Sequence, residues 1–258
     1  MEIAVFIKQV PDTDNVKWTQ NNNIDRANMD SITNPVDRYV IEAALKIKEL
    51  YGGVVTSITM GPEKAINVLK ESIAMGVDDA ILLCDSKFSG SDTCATSKVL
   101  AACVNQKLQD TNLIIFGQSA IDGETGQTGP STAKRLNMPV ITNVVEILEI
   151  KETHITVVSE VEKEQITYKV ELPCVICVNN YIYKPRIPKI DGYIKAHDFN
   201  YKIYNLYDLN LKEQDTGVKG SPTYVSKIYK NEVGRNCTMI DFEDSKLKDI
   251  CKEIKRVI

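Results

Sequence analysis

The sequence predicts an α/β fold: a parallel sheet with helices on both faces, a small antiparallel extension and a C-terminal arm. Three observations lead there. Short, continuous apolar runs recur through the first two-thirds of the chain, and helix-patterned segments separate them. After Pro139 the apolar runs give way to apolar–polar alternation. Wholly apolar strands suit a parallel sheet covered on both faces, and a strand–helix–strand order implies right-handed crossovers.

The elements follow in order. Ile3 to Val10 is an apolar run that opens the sheet. NPVDRYVIEAALKIKELYGG reads as a helix: Asn34 is at the N-cap, Pro35 at the first helical position and Asp37 in the first turn. Val36, Tyr39, Val40, Ala43, Ile47 and Leu50 recur at helical spacing, and Gly52 or Gly53 ends the helix. VVTSITM (Val54 to Met60) is rich in β-branched residues and reads as a strand. Pro62 to Met75 is a helix between glycines, Ala80 to Cys84 a strand, Asp92 to Leu108 a helix and Leu113 to Phe116 a strand. TGPSTAKRL forms the next helix. VVEILEI, HITVVSEV and QITYKVEL alternate as antiparallel strands do, on an edge or in a small sheet, and CVICV (Cys174 to Val178) is buried again. From about Tyr181 the chain turns irregular, with prolines, tyrosines and lysines mixed over a length unusual for a plain loop. GVKGSPT is a second break, and Ser245 to Ile258 reads as an amphipathic helix.

Composition bounds the function. The chain has 258 residues, 43% of them apolar, enough for one large domain or a domain with an appendage. A net charge of -4 with scattered basic residues argues against nucleic acid as a partner. No run approaches the roughly 18 apolar residues of a membrane span, and MEIAVFIKQV lacks a basic leader or cleavage site. Seven cysteines, an odd number, fit a reducing compartment. The expectation is a cytoplasmic protein without membrane insertion.

Few motifs carry chemistry. CVIC has C-x-x-C spacing but lies in an apolar strand, where core packing explains it better than redox or metal work. His154 and His197 are too distant for a metal cluster, and no nucleophile elbow, Walker A loop or G-x-G-x-x-G fingerprint is found. The remaining signal is DGETGQTGP, Asp122 to Pro130, between a buried strand and a helix start. Such a loop is either a plain turn or a phosphate cradle, since helix N-termini at the carboxyl edge of a parallel sheet offer free N–H groups to anions. If it is a cradle, Phe6 to Pro11, Asn34 to Asp37 and Met60 to Pro62 line the same edge.

Several segments taken together carry a resemblance: FIKQVPD, NPVDRYVIEAALKIKE, MGPEKA, ESIAMGVDDAILL, GQSAIDGETGQTGP, PRIPKIDGYIKA and GVKGSPT. In this order and spacing the chain resembles the β subunit of electron-transferring flavoproteins over nearly its whole length. The resemblance implies a Rossmann-like fold of the adenine-nucleotide α-hydrolase kind that pairs with an FAD-bearing α subunit. The implied nucleotide pocket comprises Phe6, Asn34, Pro35, Val36, Asp37 and Met60. It continues through Gly117, Gln118, Ser119, Ala120, Ile121, Asp122, Gly123, Glu124, Thr125, Gly126, Gln127 and Thr128. Thr125 and the loop N–H groups hold phosphate in this reading, and the Asp122 carboxylate orients the loop through backbone hydrogen bonds. No side chain is required as a catalytic acid or base.

Members of the family hold either AMP or a second FAD in this pocket. DGETGQTGP is similar to the D-G-D-T-A-Q-V-G-P of the electron-bifurcating branch, which implies FAD, with AMP as the alternative. FAD in that branch exchanges hydride with NAD(H) and divides electrons between ferredoxin, or a similar low-potential carrier, and the α-subunit FAD. The α flavin in turn serves a flavoprotein dehydrogenase of acyl-CoA or hydroxyacid type. The segment of about 181–197 resembles the loop that grips the dehydrogenase, with Arg186, Ile190, Tyr193 and Ile194 as its contact residues. Ile190 stands where the family has a leucine anchor, and I-D-G-Y-I-K-A replaces L-P-x-I-M-K-A. By the same likeness, residues 1–200 form the nucleotide domain and 201–258 an arm that packs on the α subunit.

Overall fold

The computed structural model describes residues 1–12, 31–224, 247 and 251. The chain divides into two compact units, Met1–Ser226 and Lys227–Ile258. In the second, Leu247 and Cys251 are helical and exposed, and the rest of the expected terminal helix lies outside the described residues.

The first unit is built on a nine-stranded sheet. Its strands are β1 (Glu2–Phe6), β4 (Val54–Met60), β5 (Asp79–Leu83), β6 (Leu113–Gly117), β7 (Val140–Ile150), β8 (His154–Val161), β9 (Glu164–Glu171), β10 (Cys174–Val178) and β11 (Lys202–Tyr204). They lie in the order β11-β5-β4-β1-β6-β10-β7-β8-β9. Pairing is parallel from β11 to β7 and antiparallel among β7, β8 and β9. The α/β expectation therefore holds, and the antiparallel strands extend the same sheet. β7 joins the two regimes: Val140 to Val144 pair with β10, and Val144 to Ile150 with β8.

Helices cover both faces, and the pleat sorts the side chains between them. Ile3 and Val5 of β1 join α1 (Pro35–Tyr51) and α2 (Ile66–Met75) in one core cluster. Ala4 and Phe6, on the other face, join α3 (Thr93–Lys107) and α4 (Thr128–Leu136) in the second. Strand alternation places successive residues in opposite layers. Each fully buried Ile or Leu contributes roughly 1.5–3 kcal/mol relative to exposure. Ile41, Leu69, Ile73, Ile114 and Ile115 are of this kind.

Three local expectations are corrected. The run Ile3 to Val10 is not one strand. β1 ends at Phe6, and β2 (Gln9–Pro11) pairs antiparallel with β3 (Ser31–Thr33). The break falls at Lys8, whose backbone N–H donates to the Asp37 carboxylate at 2.6 Å instead of a neighbouring strand. The helix expected from Pro62 begins as a 3-10 turn, Glu63–Ala65, before α2. The segment after Tyr181 is ordered further than its composition suggests. α5 (Ile190–Asp198) rests on α2, with Ala196 buried, and β11 adds to the edge of β5. Gly192 permits the close approach, since a Cβ there would stand 2.2 Å from the Ala74 carbonyl oxygen. Lys202 fixes β11 through an ion pair with Asp79. Lys202–Tyr204 thus belong to the sheet of the first unit, which runs on to Ser226.

Candidate functional site

The carboxyl ends of β4, β1 and β6 lie side by side, because β1 pairs with both of the others. Phe6, Met60 and Gly117 close these three strands. The Phe6 and Phe116 rings stack at 4.6 Å between centroids, with 9° between their planes, and floor the edge. In open parallel sheets this is the edge where ligands bind.

The start of α1 is drawn onto the same edge. Gly117 allows it: a Cβ there would lie 2.8 Å from Asp37 Oδ1 and 2.9 Å from Val36 Cγ1. Asn34 occupies the N-cap position, but its side chain makes no capping bond. Its Nδ2 donates instead to Asp37 Oδ1 at 3.0 Å and to the Ser119 carbonyl at 3.1 Å, while its Oδ1 accepts from Ile121 N at 3.3 Å. One buried amide thereby ties the helix start to the segment Ser119 to Ile121 that leads into the glycine loop.

Asp37 is 4% exposed. Burial pushes its carboxyl up to about 7, against the lowering pull of the Lys8 N–H and the Asn34 amide. Among the described residues no backbone N–H donates to the Asp122 carboxylate. It accepts from Lys8 Nζ through both oxygens, at 2.6 and 2.7 Å. The expected role of Asp122 is corrected in this respect: a cation outside the loop, not the loop's own backbone, holds it.

The three glycines of the loop do different work. Gly126 has φ +62°, a left-handed conformation that favours glycine, and follows Glu124 at φ +50°. Gly129 begins the buried part of α4, where a Cβ would stand 2.5 Å from Cys177 Sγ. Gly123 faces open space, with nothing within 4 Å of a Cβ. The N–H groups of Gly123 and Glu124 both donate to the Ala120 carbonyl. Among the described residues no acceptor meets the N–H of Thr125 or Gly126. Gln127 is held at its far end by the Thr93 hydroxyl, at 3.2 Å.

The structure therefore brings the predicted residues from Phe6, Asn34 to Asp37, Met60 and Gly117 to Thr128 together on one edge. The sequence reading put Lys8 on this edge only as part of the run Phe6 to Pro11 and gave it no role of its own. Cys174 and Cys177 sit in the core, as expected of strand cysteines, and burial raises both thiols to about 12. Among the described residues no group of three His, Cys, Asp or Glu could hold a metal, and no helix is long and apolar enough to cross a membrane.

A second feature lies apart from this edge. Ile190, Tyr193 and Ile194 are 79%, 57% and 58% exposed and share one face of α5. Arg186, predicted alongside them, is turned inward. Its Nε and Nη2 donate to Glu42 at 2.8 and 2.9 Å, and its Nη1 lies 2.8 Å from Glu49.

A family profile described as "Electron transfer flavoprotein domain" matches residues 22–197. The chain belongs to the electron transfer flavoprotein family. The resemblance drawn from its motifs is thereby borne out. It is similar to the caffeyl-CoA reductase-Etf complex subunit CarD of Acetobacterium woodii, with 38% identity over 89% of this chain and 87% of that protein. The acryloyl-CoA reductase electron transfer subunit gamma of Anaerotignum propionicum is also 38% identical, over 89% of this chain and 88% of its own length. The electron transfer flavoprotein subunit beta of Megasphaera elsdenii is 35% identical over 98% and 96%. Matches of this coverage extend the family assignment from the α/β core to nearly the whole chain.

Proposed function

We propose that this electron transfer flavoprotein chain is a β subunit that holds FAD on its glycine loop and works beside the FAD of an α subunit. The observation that carries the reading is the loop itself. It presents the N–H groups of Thr125 and Gly126, which no acceptor meets among the described residues, and it is left open at Gly123. Small residues there leave space for a pyrophosphate and a ring system beyond it, and the nearby start of α4 favours negative charge. The residues present thus fit a dinucleotide.

The redox chemistry in this reading is the cofactor's: hydride exchange with NAD(H), and division of the electrons between ferredoxin, or a similar low-potential carrier, and the α-subunit flavin. The chain supplies binding and orientation. Asn34 fixes the loop against α1 through Ser119 and Ile121. Phe6, Pro35, Val36, Asp37 and Met60 line the adenosine end, and Thr125 with the loop N–H groups receives phosphate. The NAD(H) and ferredoxin parts rest on likeness to the bifurcating loop sequence. Relatives named as parts of caffeyl-CoA and acryloyl-CoA reductase systems favour an acyl-CoA dehydrogenase as the partner over a hydroxyacid one. The exposed face of Ile190, Tyr193 and Ile194 is the surface offered to it. The C-terminal arm packs on the α subunit.

Reconstitution of the purified heterodimer with FAD tests the proposal. Two flavins per heterodimer are expected, one of them lost when Gly123 and Gly126 are replaced by bulky residues. One flavin per heterodimer, with AMP as the other released nucleotide, overturns it in favour of the AMP-type subunit.

A further inference from the structure

Among the described residues the glycine-loop edge is short of positive charge. None of the predicted cofactor-binding residues is a lysine or arginine, whereas Asp37, Asp122 and Glu124 are all acids. Arg38, one residue beyond Asp37, is turned to Glu71. Arg135 of α4 is turned to Ser97 and the Cys94 carbonyl. A phosphate laid on the loop would add negative charge beside exposed Asp122 and Glu124, and backbone N–H groups carry only partial charges in return.

Lys8 is the cation placed to balance it. Its backbone is pinned by the 2.6 Å bond to Asp37, so its stem rises from a fixed point beside the loop. Its ammonium reaches Asp122, the first residue of DGETGQTGP, with 49% of the lysine side chain and 29% of the aspartate side chain still exposed. An ion pair this open is weak, because water and salt screen both charges. Exchange of one anion for another at Lys8 is therefore cheap. Four rotatable bonds let the ammonium follow a new partner without moving β1.

The geometry points to Lys8 as a further ligand-binding residue, whose ammonium passes from Asp122 to the phosphate of the bound adenine nucleotide. Asp122 is then a stand-in anion: it keeps Lys8 at the rim when no phosphate is there and competes with the phosphate when one arrives. The inference rests on the nucleotide-binding reading above and adds a prediction of opposite sign for two residues that touch each other.

Calorimetric titration of the full-length, nucleotide-stripped chain with AMP and with FAD tests it. Lys8→Met is expected to weaken whichever nucleotide the wild type binds by about tenfold, the scale of one charge-assisted hydrogen bond. Lys8→Arg retains most of the affinity. Asp122→Asn is expected to tighten binding about threefold, because the competitor is gone, and to have no such effect once Lys8→Met is also present. Thermal melts within a few degrees of wild type establish that all variants are folded. If Asp122→Asn weakens binding as Lys8→Met does, the pair is a loop fastener and the inference fails while the nucleotide reading stands. If the wild type binds neither AMP nor FAD, the reading falls and the inference with it.

Discussion

The Arg186 guanidinium grips Glu42 at two points, 2.8 and 2.9 Å, and Glu42 is 2% exposed. A carboxylate that deep in α1 needs a partner, and Arg186 brings the chain before α5 to it. The backbone N–H of Arg186 adds a third bond to Glu42 at 3.1 Å. Arg186→Ala leaves the carboxylate buried without its fork. Urea denaturation is expected to show a loss of about 3 kcal/mol. Arg186→Lys should recover part of it, because lysine keeps the charge but not the planar two-point contact. A loss below 1 kcal/mol for the alanine variant would mean that water takes over the carboxylate.

Asp37 gives the folded protein a pH signature. Its carboxyl is raised from an ordinary value of 3.8 to about 7, so the native state binds this proton more tightly than the unfolded chain does. Between those two values the native form holds the extra proton, and stability falls as pH rises; above about 7 the cost is fully present. Asp37→Asn removes the titration. The difference in unfolding free energy between variant and wild type is expected to shift in the variant's favour from pH 4 to pH 7 and level off above. A difference that does not change with pH would refute this.

The loop glycines predict three different outcomes for one substitution. Gly123→Ala meets open space and is expected to leave the melting temperature unchanged. Gly126→Ala forces a left-handed residue to carry a Cβ 3.2 Å from the Gln118 carbonyl oxygen and costs about 1 kcal/mol. Gly129→Ala drives a methyl group into Cys177 and Phe116, and overpacking of this kind costs roughly 1–3 kcal/mol. Equal melting temperatures for the Gly123 and Gly129 variants would contradict the packing of α4 against β10.

Thiol reactivity should follow burial. Burial raises Cys103, Cys174 and Cys177 to about 12, so almost no thiolate exists at neutral pH. Iodoacetamide mapped by peptide mass spectrometry is expected to label exposed Cys251 in the native protein and these three only after unfolding. Early labelling of both Cys174 and Cys177 would revive a redox role for the C-x-x-C pair.

Periodicity made the sheet and its flanking helices legible. Val54–Met60 and Thr128–Leu136 form at the residues where pattern put them. Periodicity carries no information about which non-local partner a backbone or side chain will choose, and there the reading went astray. Val10 looks like a continuation of β1 because it is apolar, yet Asp37, 29 residues from Lys8, takes the N–H that would have continued it. Asn34 has the composition of a cap, but Ser119 and Ile121 compete for its amide from 85 and 87 residues away. α5 was hidden for a related reason. Its sequence is polar and glycine-broken, and Gly192 becomes intelligible only when the Ala74 carbonyl is seen beneath it. The candidate edge was legible as a set of runs, Phe6 to Pro11 with Lys8 among them, whereas the partner of Lys8 was not, because Asp122 is 114 positions distant.

α5 also separates two kinds of duty along one short helix. Ala196 and Gly192 seat it on α2, while Ile190, Tyr193 and Ile194 project from the side that bears no load. Mutations on the outer side are nearly free of consequences for folding, so they need no compensating stabilisation elsewhere. A descendant lineage can rewrite that face one residue at a time and change what the helix meets while the nucleotide edge and the sheet beneath it stay as they are.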